Sequence, residues 1–234
     1  MSLVNAAMIC GDSRDRLTEQ AIRSFYAHTD LTKCDLTVAL DNTNEDTTKL
    51  VEMLRTTFGF NLVVIRPSQG GGFITNLAIH TATGCELTLG EFIYHTAADF
   101  YFKPGWLEAL FAAWPIAESE GVGLLGAYSH PYHQDVRRIT RDGVTLCIKD
   151  MVAGGSWFIR RETWERFGPL NTRSRGNYVG SEDTEFNFRL IKAGVGRATI
   201  WPEMVIHTGR TNASGQPTLG SEWMTQEYPG VLIL

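Results

Sequence analysis

Residues 36–54 read LTVALDNTNEDTTKLVEML. The apolar run around Leu36, Val38, Ala39 and Leu40 reads as a buried strand. Asp41-Asn42 ends it, and Thr43 or Asn44 can cap a helix whose apolar face is Leu50, Val51, Leu54 and Phe58. The same alternation extends outward in both directions. Upstream, residues 5–10 form a strand, and Leu17, Ala21 and Phe25 recur at helical spacing. Downstream come a strand at 61–65, a helical face of Phe73, Leu77 and Ala78, and a fourth strand at 92–95. Strands alternating with helices at this spacing predict a parallel sheet covered on both faces. Ligands of such sheets bind just past the carboxyl ends of the strands. Three of those ends carry distinctive polar residues: Cys10-Gly11-Asp12, Asp41-Asn42 and Ala98-Asp99.

The second half is less regular. Pro104 opens a helix through Trp106, Leu107, Leu110 and Phe111. Strands are expected at 122–127, 144–148, 156–160 and 199–201, with a short extended piece at 205–207. Helices are expected at 161–167, ended by Gly168, and at 182–193, ended by Gly194. Residues 128–141 and 171–180 read as loops that face an acceptor. The tail 210–234 is expected to wrap the body or to form a subunit interface. The organisation expected is one domain over 1–234, with a donor half at 1–103 and an acceptor half at 104–209.

Composition narrows the function classes. The chain has 234 residues, 43% hydrophobic, with a formal net charge of -5. That balance gives no general attraction to nucleic acid or to an anionic membrane. The four cysteines are scattered, without a Cys-X-X-Cys pair. A zinc knuckle or thioredoxin-like site is therefore not indicated, and reduced thiols in the cytoplasm are the simplest account. The N-terminus lacks a signal-peptide pattern, and no apolar run approaches the ~20 residues of a bilayer span. The expectation is a soluble, cytoplasmic protein.

Four ordered segments then resemble the family 2 glycosyltransferases, which have a GT-A-type fold. Residues 38–47, Val-Ala-Leu-Asp-Asn-Thr-Asn-Glu-Asp-Thr, are similar to the family's Val-Asp-Asn-x-Ser-x-Asp-x-Thr strand end. Gln69-Gly70-Gly71-Gly72-Phe73 with Asn76 resembles its glycine-bearing helix start. Asp99, five residues before Pro104-Gly105-Trp106-Leu107, stands where the last acid of the Asp-X-Asp motif belongs, with Ala97 in place of the first. Residues 154–162, then Gly180-Ser181-Glu182-Asp183, Arg189-Leu190, Ala193-Gly194 and His207, look like the acceptor half. The family's Gly-Phe-Asp-Glu stretch is Gly168-Pro169-Leu170-Asn171 here. The match covers about residues 4–209.

The resemblance implies a single α/β GT-A-type domain: a Rossmann-like, mostly parallel sheet flanked by helices, with a smaller mixed sheet on the acceptor side. It implies transfer of a sugar from a nucleotide-sugar donor, UDP-linked, to an acceptor hydroxyl with inversion. Asp41 would accept a hydrogen bond from the base, with Cys10, Gly11 and Asp12 as the wall of the site. Gly71, Asn76 and Ala98 would complete the nucleotide contacts. Asp99 and His207 would hold Mn²⁺ or Mg²⁺. Asp183 would be the general base, with Glu182 orienting the acceptor or the loop. Trp157 and Tyr178 would meet the acceptor, which could be a glycan, a lipid-linked saccharide, a protein side chain or a modified nucleic-acid base. The rival readings are a sugar-nucleotide nucleotidyltransferase and a degenerate nucleotide- or carbohydrate-binding module. His130 and His133 are expected to be no metal pair, since no acid stands beside them.

Overall fold

The computed structural model describes residues 3–11, 15–84, 90–172 and 182–209. In chain order, β1 (Val4–Cys10), α1 (Asp15–His28), β2 (Cys34–Asp41), α2 (Glu45–Phe58), β3 (Asn61–Ile65), α3 (Gly71–Gly84) and β4 (Phe92–Ala97) form the alternating half. Then follow β5 (Phe100–Phe102), α4 (Trp106–Ser119), β6 (Val122–Gly126), β7 (Asp135–Arg141), β8 (Val144–Lys149) and β9 (Ser156–Arg160). The order closes with α5 (Arg161–Phe167), α6 (Glu182–Lys192), β10 (Gly196–Trp201) and β11 (Val205–His207).

Local chemistry sets the ends of these elements. Asn44, rather than Thr43, caps α2: its Oδ1 accepts from the Thr47 N–H at 2.7 Å. Gly59 then stops the helix in the left-handed region, at φ 81°. Pro104 precedes α4 but does not open it, because Gly105 adopts φ 77° and the helix begins at Trp106. Two strands had no counterpart in the expectations. β5 spans three residues, too few for a pattern to show. β7 lies where an acceptor loop was expected; it is polar and exposed along most of its length because it is an edge strand.

A sheet of nine strands runs in the order β3-β2-β1-β4-β9-β6-β10-β8-β7, and β11 and β5 form a separate pair. β1 is parallel to β2 and β4, β2 to β3, and β6 to β10. β9 is antiparallel to both β4 and β6. The carboxyl ends of β1, β2, β4, β6 and β10 therefore share one edge of the sheet. Apolar clusters cover both faces. One contains Phe25, Tyr94, Phe102, Trp106 and Phe158; the other contains Ile74, Ile79, Trp157, Leu170 and Phe186. Each large side chain buried this way contributes roughly 1.5–3 kcal/mol, and together they fix the register that aligns the strand ends.

Candidate active site at the carboxyl ends of the strands

Cys10 and Leu40 are register partners, so the polar ends of β1 and β2 lie side by side. Ser68 Oγ donates to Asp41 Oδ2 at 2.9 Å and accepts from the Gly70 N–H at 3.1 Å. Gly70 has φ 93°, a conformation that favours glycine, so this small turn clamps the carboxylate from one side. The other oxygen, Asp41 Oδ1, is buried and accepts no hydrogen bond among the described residues. With Asn44 occupied as the helix cap, Asp41 is left as a strand-end acceptor. Such an atom costs free energy until a donor meets it.

The Cys10 side chain is fully buried, and burial pushes its thiol up to about 12. It is an inert thiol packed in the larger apolar cluster. Gly11 is exposed beyond it, with open space where a Cβ would point. The Ala98 N–H donates to Ile9 O at 2.9 Å, stitching the loop after β4 to β1. Asp12 and Tyr178 lie outside the described residues.

Asp99 follows that loop. β11 pairs antiparallel with β5, with His207 opposite Phe100, and this carries His207 to Asp99. His207 Nε2 and Asp99 Oδ2 share a hydrogen bond of 3.1 Å. Thr208 adds two bonds to Asp99 O, each 2.8 Å, from its N–H and its Oγ1. Tyr128 packs on both Phe100 and His207, with ring centroids 5.2 and 5.8 Å away. Burial and the nearby Glu203 and Asp99 charges hold its phenol well above the usual range.

The spacing of the pair is one that two ligands of a divalent cation could adopt. Two adjacent ligands of an octahedron with bonds near 2.1 Å stand about 3.0 Å apart. The observed 3.1 Å between a carboxylate oxygen and an imidazole nitrogen fits that edge. No third His, Cys, Asp or Glu converges with them among the described residues. Remaining positions of a bound ion would thus be open to oxygens of a ligand or water.

Asp183, in the first turn of α6, is held by the loop before β9. Its Oδ2 accepts from the Gly154 N–H at 3.1 Å, and its Oδ1 from the Thr184 N–H at 2.7 Å. A Cβ on Gly154 would lie 2.7 Å from Asp183 Cβ, so glycine is what lets loop and acid approach. The next residue ties this acid to the Asp99–His207 pair. A Cβ on Gly155 would lie 2.6 Å from the Phe100 ring, and that ring is 5.1 Å from His207. Gly155 O also accepts from the Ala97 N–H at 3.2 Å. His130 lies within reach of the charges of both His207 and Asp183.

Two of the expected contacts have other structural work. Asn76 does not face the strand ends: its Nδ2 donates to Leu170 O at 2.8 Å, and its Oδ1 accepts from the Leu170 N–H at 2.7 Å. Its amide is spent on anchoring the loop before α6. Gly71 runs close to α6, where a Cβ would stand 2.5 Å from Glu182 Oε1, while the residue itself is exposed. Trp157 is 1% exposed and stacks on Phe186 at 5.1 Å, which makes it a core anchor with no face open to an acceptor.

The structure also gathers residues that sequence reasoning passed over, His95 and Glu203, along with the two histidines it set aside as a metal pair. His95, on β4, is buried; burial depresses its pKa to about 4, and it hydrogen-bonds with the Gly154 backbone beside Asp183. His130 and His133, with ring centroids 5.4 Å apart, lie on the same side as Asp183. Burial raises the Glu203 carboxyl to about 7, and its Oε1 accepts from the Ser129 N–H at 3.3 Å. Glycines 154 and 155 were visible as a motif. Nothing local in the sequence marks His95 or Glu203.

No protein-family model matches the sequence, and neither does any curated protein. Solved structures do match. The mannosyltransferase PcManGT from Pyrobaculum calidifontis, in complex with GDP-Man and Mn²⁺, aligns with a TM-score of 0.59 and 17% identity, over 83% of this chain and 54% of that one. S. aureus TarS 1-349 in complex with UDP aligns with a TM-score of 0.59 and 14% identity, over 86% and 59%. The same protein with UDP-GlcNAc gives 0.57 and 12%, over 86% and 57%. The chain therefore spans little more than half the length of these structures. Its fold is that of GT-A-like glycosyltransferases. Among the described residues no helix is long and apolar enough to cross a membrane.

Proposed function

We propose that this chain transfers a sugar from a nucleotide-sugar donor, UDP-linked, to an acceptor hydroxyl, with inversion at the anomeric carbon. The observation that carries this reading is the continuity of Asp183, Gly154-Gly155, Phe100 and the His207–Asp99 pair at one edge of the sheet. The fold supports the general class, and complexes of its neighbours contain GDP-Man with Mn²⁺, UDP and UDP-GlcNAc.

Asp41 Oδ1 accepts a hydrogen bond from the imide N–H of the base, and the loop of Cys10 and Gly11 walls the ring. Asp99 and His207 hold the divalent cation, which when bound offsets charge on the departing diphosphate. Asp183 removes the proton from the acceptor hydroxyl as its oxygen attacks, a service typically worth about 10²–10⁴-fold in rate. Gly154 N–H aims Oδ2 of that carboxylate. Glu182, lying over Gly71, orients the acceptor side of the loop.

The test is a donor-hydrolysis screen across UDP- and GDP-linked sugars with Mn²⁺, run on the parent chain and on Asp183→Asn. The expected result is turnover of a UDP sugar by the parent, and loss of at least ~10²-fold in the variant. Product showing retained anomeric configuration would remove Asp183 from the base role.

A further inference from the structure

Asn187 makes a set of contacts that the proposed chemistry has not yet used. It sits one helical turn beyond Asp183 on α6 and is 1% exposed. Its side chain is the junction between that helix and the loop carrying Gly154. Asn187 Oδ1 accepts from the Val152 N–H at 3.0 Å. Asn187 Nδ2 donates to Val152 O at 3.0 Å and to Asp183 O at 2.8 Å. One amide thus satisfies both backbone groups of Val152, in the way a neighbouring strand would, and also grips the main chain of Asp183.

Val152 stands two residues before Gly154, whose N–H donates to Asp183 Oδ2. The circuit from Asp183 O through the Asn187 amide to Val152, along the chain to Gly154 and back to Asp183 Oδ2 is closed by hydrogen bonds. Val152 belongs to the same buried apolar cluster as Trp157 and Phe186, and Asn187 is itself 1% exposed, so water cannot readily replace the amide. A leucine of similar volume would fill the space but leave both Val152 groups buried and unmet. Serine or alanine would be too short to span them.

We propose that Asn187 is a positioning residue for catalysis: it locks the loop of residues 152–154 to α6 and so fixes the direction in which the Asp183 carboxylate points. This rests on the reading of Asp183 as the general base. Loss of the lock misdirects the base without touching the nucleotide subsite around Asp41, so the effect falls on turnover and spares donor affinity. A misplacement of about 1 Å at such a group is enough for a large rate loss.

Asn187→Ser and Asn187→Asp test the assignment. The aspartate keeps the bond from the Val152 N–H and loses both donated bonds; the serine loses the span. Both are assayed with UDP-GlcNAc and GDP-mannose in Mn²⁺, beside the parent chain and Asp183→Asn. UDP titration serves as the check that each variant is folded. The expected result is a kcat at least tenfold below the parent in both variants, with donor KM and UDP Kd within about threefold. If Asp183→Asn is inactive while a variant that binds UDP normally keeps kcat within twofold, the positioning role is overturned and the base assignment stands. A fall in kcat matched by an equal rise in donor KM and UDP Kd also overturns it, since that marks general loosening. Full turnover by Asp183→Asn, or none by the parent, overturns the reading of Asp183 and this inference with it.

Discussion

His207 Nε2 stands 3.1 Å from Asp99 Oδ2, although 108 residues separate them in the chain. The antiparallel pairing of β11 with β5 creates that meeting, and Phe100 and Tyr128 wall the imidazole. If the pair is a cation site, UDP should raise the melting temperature most when Mn²⁺ is present. A ligand at ~100-fold excess over its Kd contributes about 2.7 kcal/mol, a shift of several degrees at this chain length. Asp99→Asn and His207→Ala are each expected to remove the Mn²⁺-dependent part, as read by thermal unfolding. An undiminished shift in both variants would place the cation elsewhere.

Asp41 is clamped by Ser68 through Oδ2, while Oδ1 meets no donor among the described residues. Hydrogen bonds to a charged group are worth about 1.5–3 kcal/mol. Asp41→Ala is therefore expected to weaken UDP binding by roughly 10- to 150-fold in a calorimetric titration. The variant should unfold no earlier than the parent, because its removal also relieves a buried acceptor. Unchanged UDP affinity would refute the base-binding role.

The start of α3 predicts a contrast between two adjacent glycines. A Cβ on Gly72 would collide with the Asn171 carbonyl oxygen, a backbone atom that cannot swing away. A Cβ on Gly71 would meet the end of the Glu182 side chain, which can. Gly72→Ala is expected to cost about 1–3 kcal/mol in urea unfolding, the usual range for overpacking. Gly71→Ala should cost under about 1 kcal/mol, with helix propensity offsetting the displacement. Equal destabilisation of the two would contradict this packing.

His95 predicts a pH dependence with a definite sign. Burial depresses its pKa from 6.5 to about 4, so the folded state favours the neutral ring. Its contribution is fully present above pH 6.5 and is lost as pH falls through 4. The scale is roughly 2–3 kcal/mol. Stability of the parent relative to His95→Gln, measured by urea unfolding from pH 7 to pH 4, should decline over that window. A difference independent of pH would refute the assignment. His130, also depressed to about 4, contributes to the acid sensitivity that both proteins retain.

Much of this architecture was legible in the sequence because β1, β2 and β4 are buried on both faces and the other elements are bounded by apolar runs and glycine stops. β3, β9 and α5 fall at the bounds read from apolar runs and glycine stops, and β1, β2 and β4 differ by a few residues at their ends. β7 was hidden by the opposite condition: Arg137, Arg138 and Arg141 on an exposed edge leave no apolar alternation to detect. Asn76 is read from its position in a motif, yet its amide is committed to Leu170, 94 residues away in sequence. Trp157 shows the same limit. The resemblance implies an acceptor contact there, but the cross-strand pairing of β9 with β4 and β6 places Trp157 inside the sheet's cover. Local pattern reports which face a residue can bury, and it is silent on what a distant segment brings to that face.

In the proposed site the acid of α6 faces the pair formed by Asp99, just before β5, and His207 of β11. Anomalous X-ray scattering from a crystal soaked with Mn²⁺ and UDP reads it directly. The account predicts a manganese peak bonded to Asp99 Oδ2 and His207 Nε2, with the diphosphate beside it, the base at Asp41, and the Asp183 carboxylate facing the open side of the diphosphate. A manganese peak away from Asp99 and His207, or UDP seated on a face that Asp183 does not share, would contradict it.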